Sequence, residues 1–338
     1  MQRYLTIAGL AGAALLAAGA NASALEKVKF GTNWVAEAEH GGFYQAVVDG
    51  TYEKCGLEVE IVPGGPQVNN RALMLAGKID FHMGGNMLFA FSAAEQKIPL
   101  KVIASFFQKE PQVIMTHPDQ GFDTWESLKK ATLFIGNNGY QSYYQWMISE
   151  FGFTAEQRKP YTWNAGPFLA DKKSGQQGYV TSEPYVIEKE GGFKPNIFLI
   201  ADFGFDTYST TVETMQATID ARPEVVQCFI DGSATGWTNY LYGDNKAANA
   251  LIIKHNPKMT MELIEYSIQK MKDFGIVDSG DSLTLGIGAM TDERHKSFYD
   301  KMVKAGVVKA KIDVKDTYTL KFVNKGVGVD LKKKLMGK

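Results

Sequence analysis

Short β-rich apolar runs follow one another along the chain, each separated from the next by an amphipathic segment of helical length. The first part of the pattern predicts three strands, at "VKFGTNW", "LEVEIVPG" and "IDFHMGG". It also predicts three helices, at "GGFYQAVVDGTYEKCG", "PQVNNRALMLAGK" and "NMLFAFSAAEQ". Strands that alternate with helices are typical of a mostly parallel sheet covered on both faces, so the pattern predicts an α/β fold.

Two further β-rich runs, "LKVIASFFQKEP" and "QVIMTHP", meet at Pro111, and a second series of strands and helices follows them. We interpret this junction as a crossing into a second lobe, with a return crossing near "YSTTVETMQATIDA". After Arg222 the pattern becomes mainly helical, and Pro223 stands in the first turn of a predicted helix. We therefore expect two lobes joined by two hinge crossings, with lobe I at residues 25–112 and 206–338 and lobe II at residues 113–205.

The N-terminal segment has the composition of an export signal. Residues 1–3 include the basic Arg3, residues 5–20 carry no charge, and Ala22 and Ala24 supply the small residues of a cleavage site. The apolar run is shorter than the about 20 residues that a membrane span needs. We therefore predict a signal peptide at residues 1–24 and a mature protein in the periplasm.

Charge and cysteine content narrow the classes of partner. The chain has 36 Lys and Arg residues against 37 Asp and Glu residues, so it has no basic excess that would favour nucleic acid or an anionic membrane surface. Its two cysteines, Cys55 and Cys228, could pair in an oxidising compartment. Both lie in helix-like segments without a CxxC or Cys/His spacing, so we interpret them as two separately buried thiols.

Sequence motifs of several enzyme classes are absent from the chain. It contains no G-x-S-x-G nucleophile elbow, P-loop, G-x-G-x-x-G or H-E-x-x-H segment. Glu39, His40 and His82 could together bind a metal ion, but their neighbours are aromatic and amide residues and the histidines lack the spacing of metal ligands. We therefore expect a binding protein with no metal and no cofactor.

Aromatic and polar side chains stand where predicted strands end, and these positions face the ligand in open α/β sheets. If the two lobes enclose a cleft, the rings could stack on a planar solute, while Glu183 and Asn86 accept hydrogen bonds from its amines. His40 would position the first-lobe loop or touch the edge of the ligand. The residues that we predict to bind the ligand are Trp34, His40, Asn86, Gln108, Tyr140, Trp163, Tyr179 and Glu183.

Each of these residues also has a simpler interpretation. The aromatic rings could belong to the cores of the lobes, and Glu183 could merely favour the N-terminus of a helix. The adjacent Gly41 and Gly42 could allow close approach of a ligand or of the facing lobe, or could form an ordinary turn. We expect Glu37 and Glu39 to face solvent or to fix the loop, and not to contact the ligand.

Five stretches spread over the chain carry a resemblance to a known family: "NWVAEAEHGGFYQA", "GLEVEIVPGG", "LMLAGKIDFHMGG", "SLKKATLFIG" and "GYVTSEPYVIEKEGG". They resemble periplasmic solute-binding proteins of ABC importers, in the branch that binds pyrimidine precursors of thiamine. The resemblance implies the two-lobed periplasmic binding protein fold of type II, with a ligand cleft that closes by hinge motion. It also implies a monomer whose partners are a small-molecule solute and a permease with a cytoplasmic ATPase.

Nitrate, sulfonate and taurine binders share this fold, and so do fungal pyrimidine synthases. The synthases use a pyridoxal phosphate-linked lysine, a sacrificial histidine and a cysteine-rich run. Here the cysteine-rich run is missing, and "FHMGGNM" at the end of the third predicted strand lacks the lysine and histidine pattern. We therefore expect a binder of a planar, aminopyrimidine-like solute. The open alternatives are a binder of a sulfonate, nitrate or flavin-type solute, and an enzyme of pyrimidine biosynthesis.

Overall fold

The structure is a computed structural model that describes residues 24–65, 68–308 and 311–337. Apart from Ala24, the predicted signal peptide lies outside the described residues. The strands, in chain order, are Glu26–Gly31 (β1), Leu57–Val62 (β2), Phe81–Met83 (β3), Leu100–Phe107 (β4), Gln112–Thr116 (β5), Thr132–Ile135 (β6), Arg158–Pro160 (β7), Ser174–Tyr179 (β8), Asn196–Leu199 (β9) and Ser209–Met215 (β10).

These strands form two mixed sheets, and we call the units built on them the first and the second lobe. The first-lobe sheet has the order β2-β1-β3-β10-β4, and the second-lobe sheet has the order β7-β6-β8-β5-β9. In each sheet one strand runs against the others: β10 is antiparallel to β3 and β4, and β5 is antiparallel to β8 and β9. Both are the strands that follow directly on a crossing between lobes. The sheets are therefore mostly parallel, as predicted, with one reversed strand in each where the chain changes lobe; the residue boundaries of the lobes stay a prediction.

Helices connect the strands and dominate the C-terminal region, as predicted. Pro223 stands in the first turn of a 20-residue helix. None of the described helices combines the length and the apolar composition that crossing a bilayer requires. The α-helices are Gly41–Val48 (α1), Asn70–Leu75 (α2), Met87–Glu95 (α3), Asn137–Tyr140 (α4), Tyr143–Phe151 (α5), Gly166–Ala170 (α6), Glu183–Gly191 (α7), Gln216–Ala221 (α8), Pro223–Tyr242 (α9), Lys246–His255 (α10), Met261–Asp273 (α11), Ser282–Leu285 (α12), Asp292–Lys304 (α13) and Val329–Leu335 (α14).

Glycines at the crossing of α1 and α9 let these two helices touch. A Cβ atom on Gly41 would lie 2.0 Å from the ring of Tyr240, and one on Gly42 would lie 2.0 Å from the ring of Trp237. From the other side, a Cβ atom on Gly236 would lie 2.2 Å from the carbonyl oxygen of Gly42. Helix packing within the first lobe therefore explains the Gly41 and Gly42 pair, in place of the turn or the ligand approach that the sequence suggested.

Aromatic side chains join α1 and α9 to the first-lobe sheet. Phe229 of α9 stacks on Phe81 of β3 with ring centroids 4.4 Å apart, and its centroid lies 5.3 Å from that of Tyr52. Phe43 of α1 lies 4.6 Å from Phe30 of β1. All five side chains are buried, and removal of this apolar surface from water stabilises the lobe. The loop between β1 and α1 is thus anchored at both ends.

The two cysteines form a disulfide, which corrects their interpretation as separate thiols. Cys55 ends a short 3₁₀ helix before β2, and Cys228 lies in α9. Their Cα atoms are 5.9 Å apart, inside the range that a disulfide requires. The two residues are 173 positions apart, and no local pattern indicates that α9 returns to this loop.

Candidate ligand-binding cleft

The two lobes meet along the loops that follow β1 and β8, and we call the region between these loops the cleft. After β1 the chain turns into a 3₁₀ helix, Ala38–His40, which α1 continues. After β8, which ends at Tyr179, it turns into α7, whose first residue is Glu183. The hydroxyl of Thr181 in the second loop donates a hydrogen bond to the carboxylate of Glu39 in the first. Both side chains are buried, so this bond joins the lobes directly.

Helix α11 of the first-lobe side extends this contact. The Ser267 hydroxyl donates to the Thr181 carbonyl oxygen at 2.7 Å. The Tyr185 hydroxyl of α7 donates to the Glu262 carboxylate at 2.9 Å. The lobes are therefore in contact at several points, and the structure represents a closed arrangement.

Two tryptophans, one from each lobe, stack on each other at the cleft. The rings of Trp34 and Trp163 have centroids 5.9 Å apart and an interplanar angle of 24°. Trp163 is 63% exposed, and it belongs to the second lobe whereas Trp34 belongs to the first. Both were predicted to offer ring faces to a ligand. In this structure each offers a face to the other, and we call the two stacked rings the lid.

Four glutamates gather at the cleft, and we call them the acidic cluster: Glu37, Glu39, Glu110 and Glu183. Burial is the main cause that raises the pKa of each carboxyl, and it raises that of Glu110 to about 7. For Glu37 the charges of Glu39 and Glu183 raise the pKa further. Glu39 is 4% exposed and the Glu37 side chain 21%, which corrects the expectation that they face solvent.

Tyr179 links the members of the acidic cluster. Burial raises its pKa well above the usual value, and the charges of Glu110, Glu37 and Glu39 add to the rise, whereas a hydrogen bond with Gln112 lowers it. Carboxyls on both sides of the cleft therefore act electrostatically on Tyr179, and its ligand-binding role stays a prediction.

Glu183 lies at the N-terminus of α7, as the simpler interpretation of the sequence held, and its ligand-binding role stays a prediction. Its Oε2 accepts hydrogen bonds from the Tyr179 backbone N–H at 2.7 Å and from the Ser182 hydroxyl at 2.6 Å. These bonds hold the carboxyl at the N-terminus of α7 and lower its pKa, against the larger effect of burial. Both bonds use Oε2, so a further donor can reach the carboxyl at Oε1.

Asn86 caps α3, as predicted, and also contacts the acidic cluster. Its Oδ1 accepts a hydrogen bond from the Leu88 backbone N–H at 3.1 Å. Its Nδ2 donates to Glu110 Oε2 at 3.4 Å. The Asn86 amide thus orients Glu110, and Asn86 would influence a ligand through the Glu110 carboxyl.

Comparison with protein families now identifies the chain. The family model described as NMT1/THI5 like matches residues 37–248, from the loop after β1 into α10. The chain belongs to the NMT1/THI5-like family. This membership confirms the resemblance inferred from the sequence. Among curated protein sequences, none matches the chain.

Solved structures share the fold of this NMT1/THI5-like chain. The periplasmic aliphatic sulphonate binding protein SsuA of Escherichia coli has a TM-score of 0.63 at 14% identity, over 86% of this chain and 91% of that chain. A Candida albicans protein with the generic periplasmic binding protein fold has a TM-score of 0.60 at 17% identity, over 87% and 96%. The desulfurization enzyme DSZB has a TM-score of 0.58 at 10% identity, over 89% and 98%. These likenesses confirm the predicted two-lobed type II fold.

Two predicted ligand-binding residues of this NMT1/THI5-like chain have other partners. Gln108 is buried after β4, where its Nε2 donates to the Ala289 carbonyl oxygen at 2.9 Å and its Oε1 accepts from Arg294 at 3.5 Å. Tyr140 lies under the guanidinium of Arg158, which is 4.9 Å from the ring centroid. We therefore leave Gln108 and Tyr140 out of the proposed set of ligand contacts.

His40 is fully buried beside Glu37. Its Nε2 lies 3.7 Å from Glu37 Oε1, and neither ring nitrogen has a hydrogen-bond partner among the described residues. Burial lowers the pKa of His40 to about 3, so the ring is neutral at physiological pH. His40 therefore has an uncharged ring with two unused nitrogens, and its role at the ligand edge stays a prediction.

Glu39, His40 and His82, which could have formed a metal site, are not grouped as one. His82 Nδ1 lies 3.2 Å from the carboxylate of Glu213, which Arg71 contacts at 3.0 Å. In the part of the chain that the structure describes, no three His, Cys, Asp or Glu side chains are grouped so as to hold a metal ion. His82 thus lies within hydrogen-bond distance of a carboxyl inside the first lobe.

Three candidate site residues were not predicted from the sequence: Glu37, Glu39 and Glu110. For Glu110 a signal exists, because a carboxylate just before Pro111 stands at the crossing where both lobes are within reach. The signal for Glu37 and Glu39 is weaker, since they look like ordinary polar loop residues until the second lobe covers them. Burial by a distant segment is not encoded in local periodicity.

Proposed function

We propose that this NMT1/THI5-like protein is the periplasmic solute-binding component of an ABC importer, and that it captures a small planar, amine-bearing solute as its lobes close. The observation that carries the proposal is the contact between lobes, where acceptors and aromatic rings of both converge around the bond from Thr181 to Glu39. Polar groups and rings enclosed between hinged lobes are typical of a small-molecule site.

The groups in the cleft support a flat solute that donates hydrogen bonds. Tyr179 offers a ring among carboxyls, and Oε1 of Glu183 can accept from a ring amine. Hydrogen bonds to a charged acceptor are roughly twice as strong as neutral ones. An aminopyrimidine-like ring combines a stacking face with such donors.

An anionic solute is the weaker alternative. The Escherichia coli protein of similar fold is named for aliphatic sulphonates, and a sulfonate or nitrate would call for arginines or converging helix N-termini. Here the cleft presents the acidic cluster instead, which would repel an anion.

Location and partners follow the same proposal. A disulfide between Cys55 and Cys228 persists in an oxidising compartment such as the periplasm, which supports export by the signal peptide predicted at residues 1–24. The protein acts as a monomer without a cofactor, and presents its closed form to a permease with a cytoplasmic ATPase.

A thermal-shift screen of the mature protein with pyrimidines, sulfonates, nitrate and flavins tests the proposal. Amino-substituted pyrimidines should raise the melting temperature, since a ligand at about 100 times its Kd adds about 2.7 kcal/mol to the folded state. Glu183→Gln should weaken their binding about tenfold through loss of a charge-assisted hydrogen bond. The matched control is Glu188→Gln, which alters an exposed carboxyl on the same helix.

Stabilisation by taurine or nitrate, but not by pyrimidines, would show that the solute class is wrong. Pyridoxal phosphate absorbance in the purified protein would favour the enzyme alternative. Equal affinities of wild type and Glu183→Gln would remove Glu183 from the site.

A further inference from the structure

The acidic cluster lacks a basic partner. Of its four members only Glu37 faces an ionisable base, which is the neutral His40. Among the described residues no lysine or arginine forms an ion pair with Glu37, Glu39, Glu110 or Glu183, and none contributes to their pKa shifts. The chain has 36 Lys and Arg residues, so this local lack does not reflect a shortage of bases.

Two buried neutral groups beside the cluster also lack partners. The ring nitrogens of His40 and the hydroxyl of Tyr240 have no hydrogen-bond partner among the described residues, and both side chains are 0% exposed. Tyr240 lies close enough to Glu39 for that charge to raise its pKa, and His40 Nε2 faces Glu37. Buried polar groups are nearly always satisfied in native proteins. Their position indicates that a further group completes this region.

We propose that the solute is an organic cation with a flat face, such as an amidinium, a guanidinium or a ring-protonated amine, held by Glu37 and Glu39 of the first lobe and Glu183 of the second. This inference rests on the proposed function and gives the solute its charge. Planar cations of this kind bind carboxylates through two parallel hydrogen bonds. The Tyr179 ring adds a face for the charge, and neutral His40 can accept an N–H.

Binding of the cation should displace protons from the carboxyls of the cleft. Burial and mutual repulsion favour the protonated carboxyls in the free protein. An arriving positive charge favours their ionised forms, so binding of the cation releases protons. A sulfonate would add negative charge to the same buried region, and a neutral ring would gain only stacking and hydrogen bonds.

Three probes with one phenyl ring and different charges test the proposal: benzamidinium, benzamide and benzenesulfonate. The mature protein is first stripped of bound solute by unfolding and refolding, with its disulfide intact. Benzamidinium should raise the melting temperature, whereas the other two should leave it nearly unchanged. Its affinity, measured between about pH 5 and about pH 7.5, should increase with pH, because the carboxyls bind the cation in their ionised form.

The other titratable groups around the cluster do not change charge in that window. Burial keeps the pKa of His40 at about 3 and raises the pKa of each neighbouring phenol above its usual value. These phenols are Tyr143, Tyr161, Tyr179 and Tyr240. The pH profile therefore reports on the acidic cluster.

Glu37→Gln separates a ligand-binding role from a structural one. The substitution removes a charge that repels Glu39 and Glu183, so the free variant should melt at a higher temperature than wild type while it binds benzamidinium at least tenfold more weakly. Glu58→Gln, at an exposed carboxyl on β2, is the control of equal charge change and should alter neither property.

Each other outcome overturns the proposal. If benzamide or benzenesulfonate stabilises the protein as strongly as benzamidinium, the solute is not selected by positive charge, and solute capture itself still stands. If Glu37→Gln binds benzamidinium as tightly as wild type does, the positive charge is likewise not what selects the solute. If benzamidinium gives no shift, the cation is rejected, and the wider screen with pyrimidines then decides separately whether the proposed function holds.

Discussion

Buried carboxylates occur in two regions of this molecule, in opposite surroundings. Within the first lobe, Glu213 of β10 is 1% exposed and lies 3.0 Å from Arg71 and 3.2 Å from His82. At the cleft, Glu39 and Glu110 are buried almost as deeply, at 4% and 2% exposed, yet among the described residues they bind only neutral donors, Thr181 for Glu39 and Asn86 for Glu110. A lobe interior has to be self-sufficient in charge, whereas a surface between moving lobes can leave its counter-charge to a ligand.

The same contrast separates stability from function. Partners that fold together with a buried charge compensate for its lost hydration whenever the chain is folded. Partners that arrive from solution do so only when bound, so the closed form without solute carries the cost. The acidic cluster thus makes the closed form less stable when no solute is bound.

The largest effect should come from breaking the group inside the lobe. Glu213→Gln leaves Arg71 without its carboxylate, and we expect the free energy of unfolding to fall by about 3 kcal/mol. Chemical denaturation measures this loss. Glu58→Gln, which breaks only the exposed contact with Lys27, should cost less than about 0.5 kcal/mol. A loss below about 1 kcal/mol in Glu213→Gln would erase the difference between the two regions.

An effect of at most similar size and of opposite sign should follow at the cleft. The pKa of Glu110 in the native protein is about 7, above that of an unfolded glutamate. Between these two pKa values the native protein binds more protons than the unfolded protein, so the free energy of unfolding falls as the pH rises. The advantage of Glu110→Gln over wild type should therefore grow as the pH rises from about 4.5 to about 7, and should reach up to about 3 kcal/mol.

The Glu110 comparison has to be made between the two proteins at each pH. Burial lowers the pKa of His40 and of His295 to about 3, so both add stability as pH rises and oppose the Glu110 effect in either protein. Denaturation at several pH values gives the difference directly. A difference independent of pH would show that Glu110 is ionised in the free protein.

The smallest effect concerns the lid. Trp163→Ala removes a ring that is 63% exposed, so the stability of either lobe should hardly change. The closed form should lose about 1 kcal/mol of stacking with Trp34, and solute binding should weaken about fivefold. Titration calorimetry with a solute from the screen measures this change. Unchanged binding would mean that the tryptophan pair does not contribute to closure.

Much of the fold could be predicted from the sequence because it depends on local periodicity and on the signals that start and end helices. The strand and helix alternation, the α9 start at Pro223 and the α3 cap at Asn86 all depend on neighbours within a few residues. The antiparallel course of β5 and β10 depends on how a lobe crossing enters a sheet. The disulfide depends on a helix that returns after 173 residues, which no short window contains.

In the candidate site, too, the features that depend on local sequence could be predicted, and those that depend on distant segments could not. Trp34, Trp163, Tyr179 and Glu183 were predicted because strand ends of an α/β sheet face its ligand, and they do lie at the cleft. The burial of Glu37 and Glu39 could not be predicted, because it is created by the facing lobe. Their identity as ligand contacts stays a prediction that the substitutions above test.

The stacked tryptophans also make this molecule its own optical sensor. Of its five tryptophans, Trp125, Trp146 and Trp237 are buried within the lobes at 7%, 2% and 0% exposure, so their surroundings are the same in any hinge position. Trp34 and Trp163 have ring centroids 5.9 Å apart only while the lobes touch. Separation of the lobes exposes two indole faces to water at once, so the intrinsic emission of the unlabelled protein follows the hinge in real time.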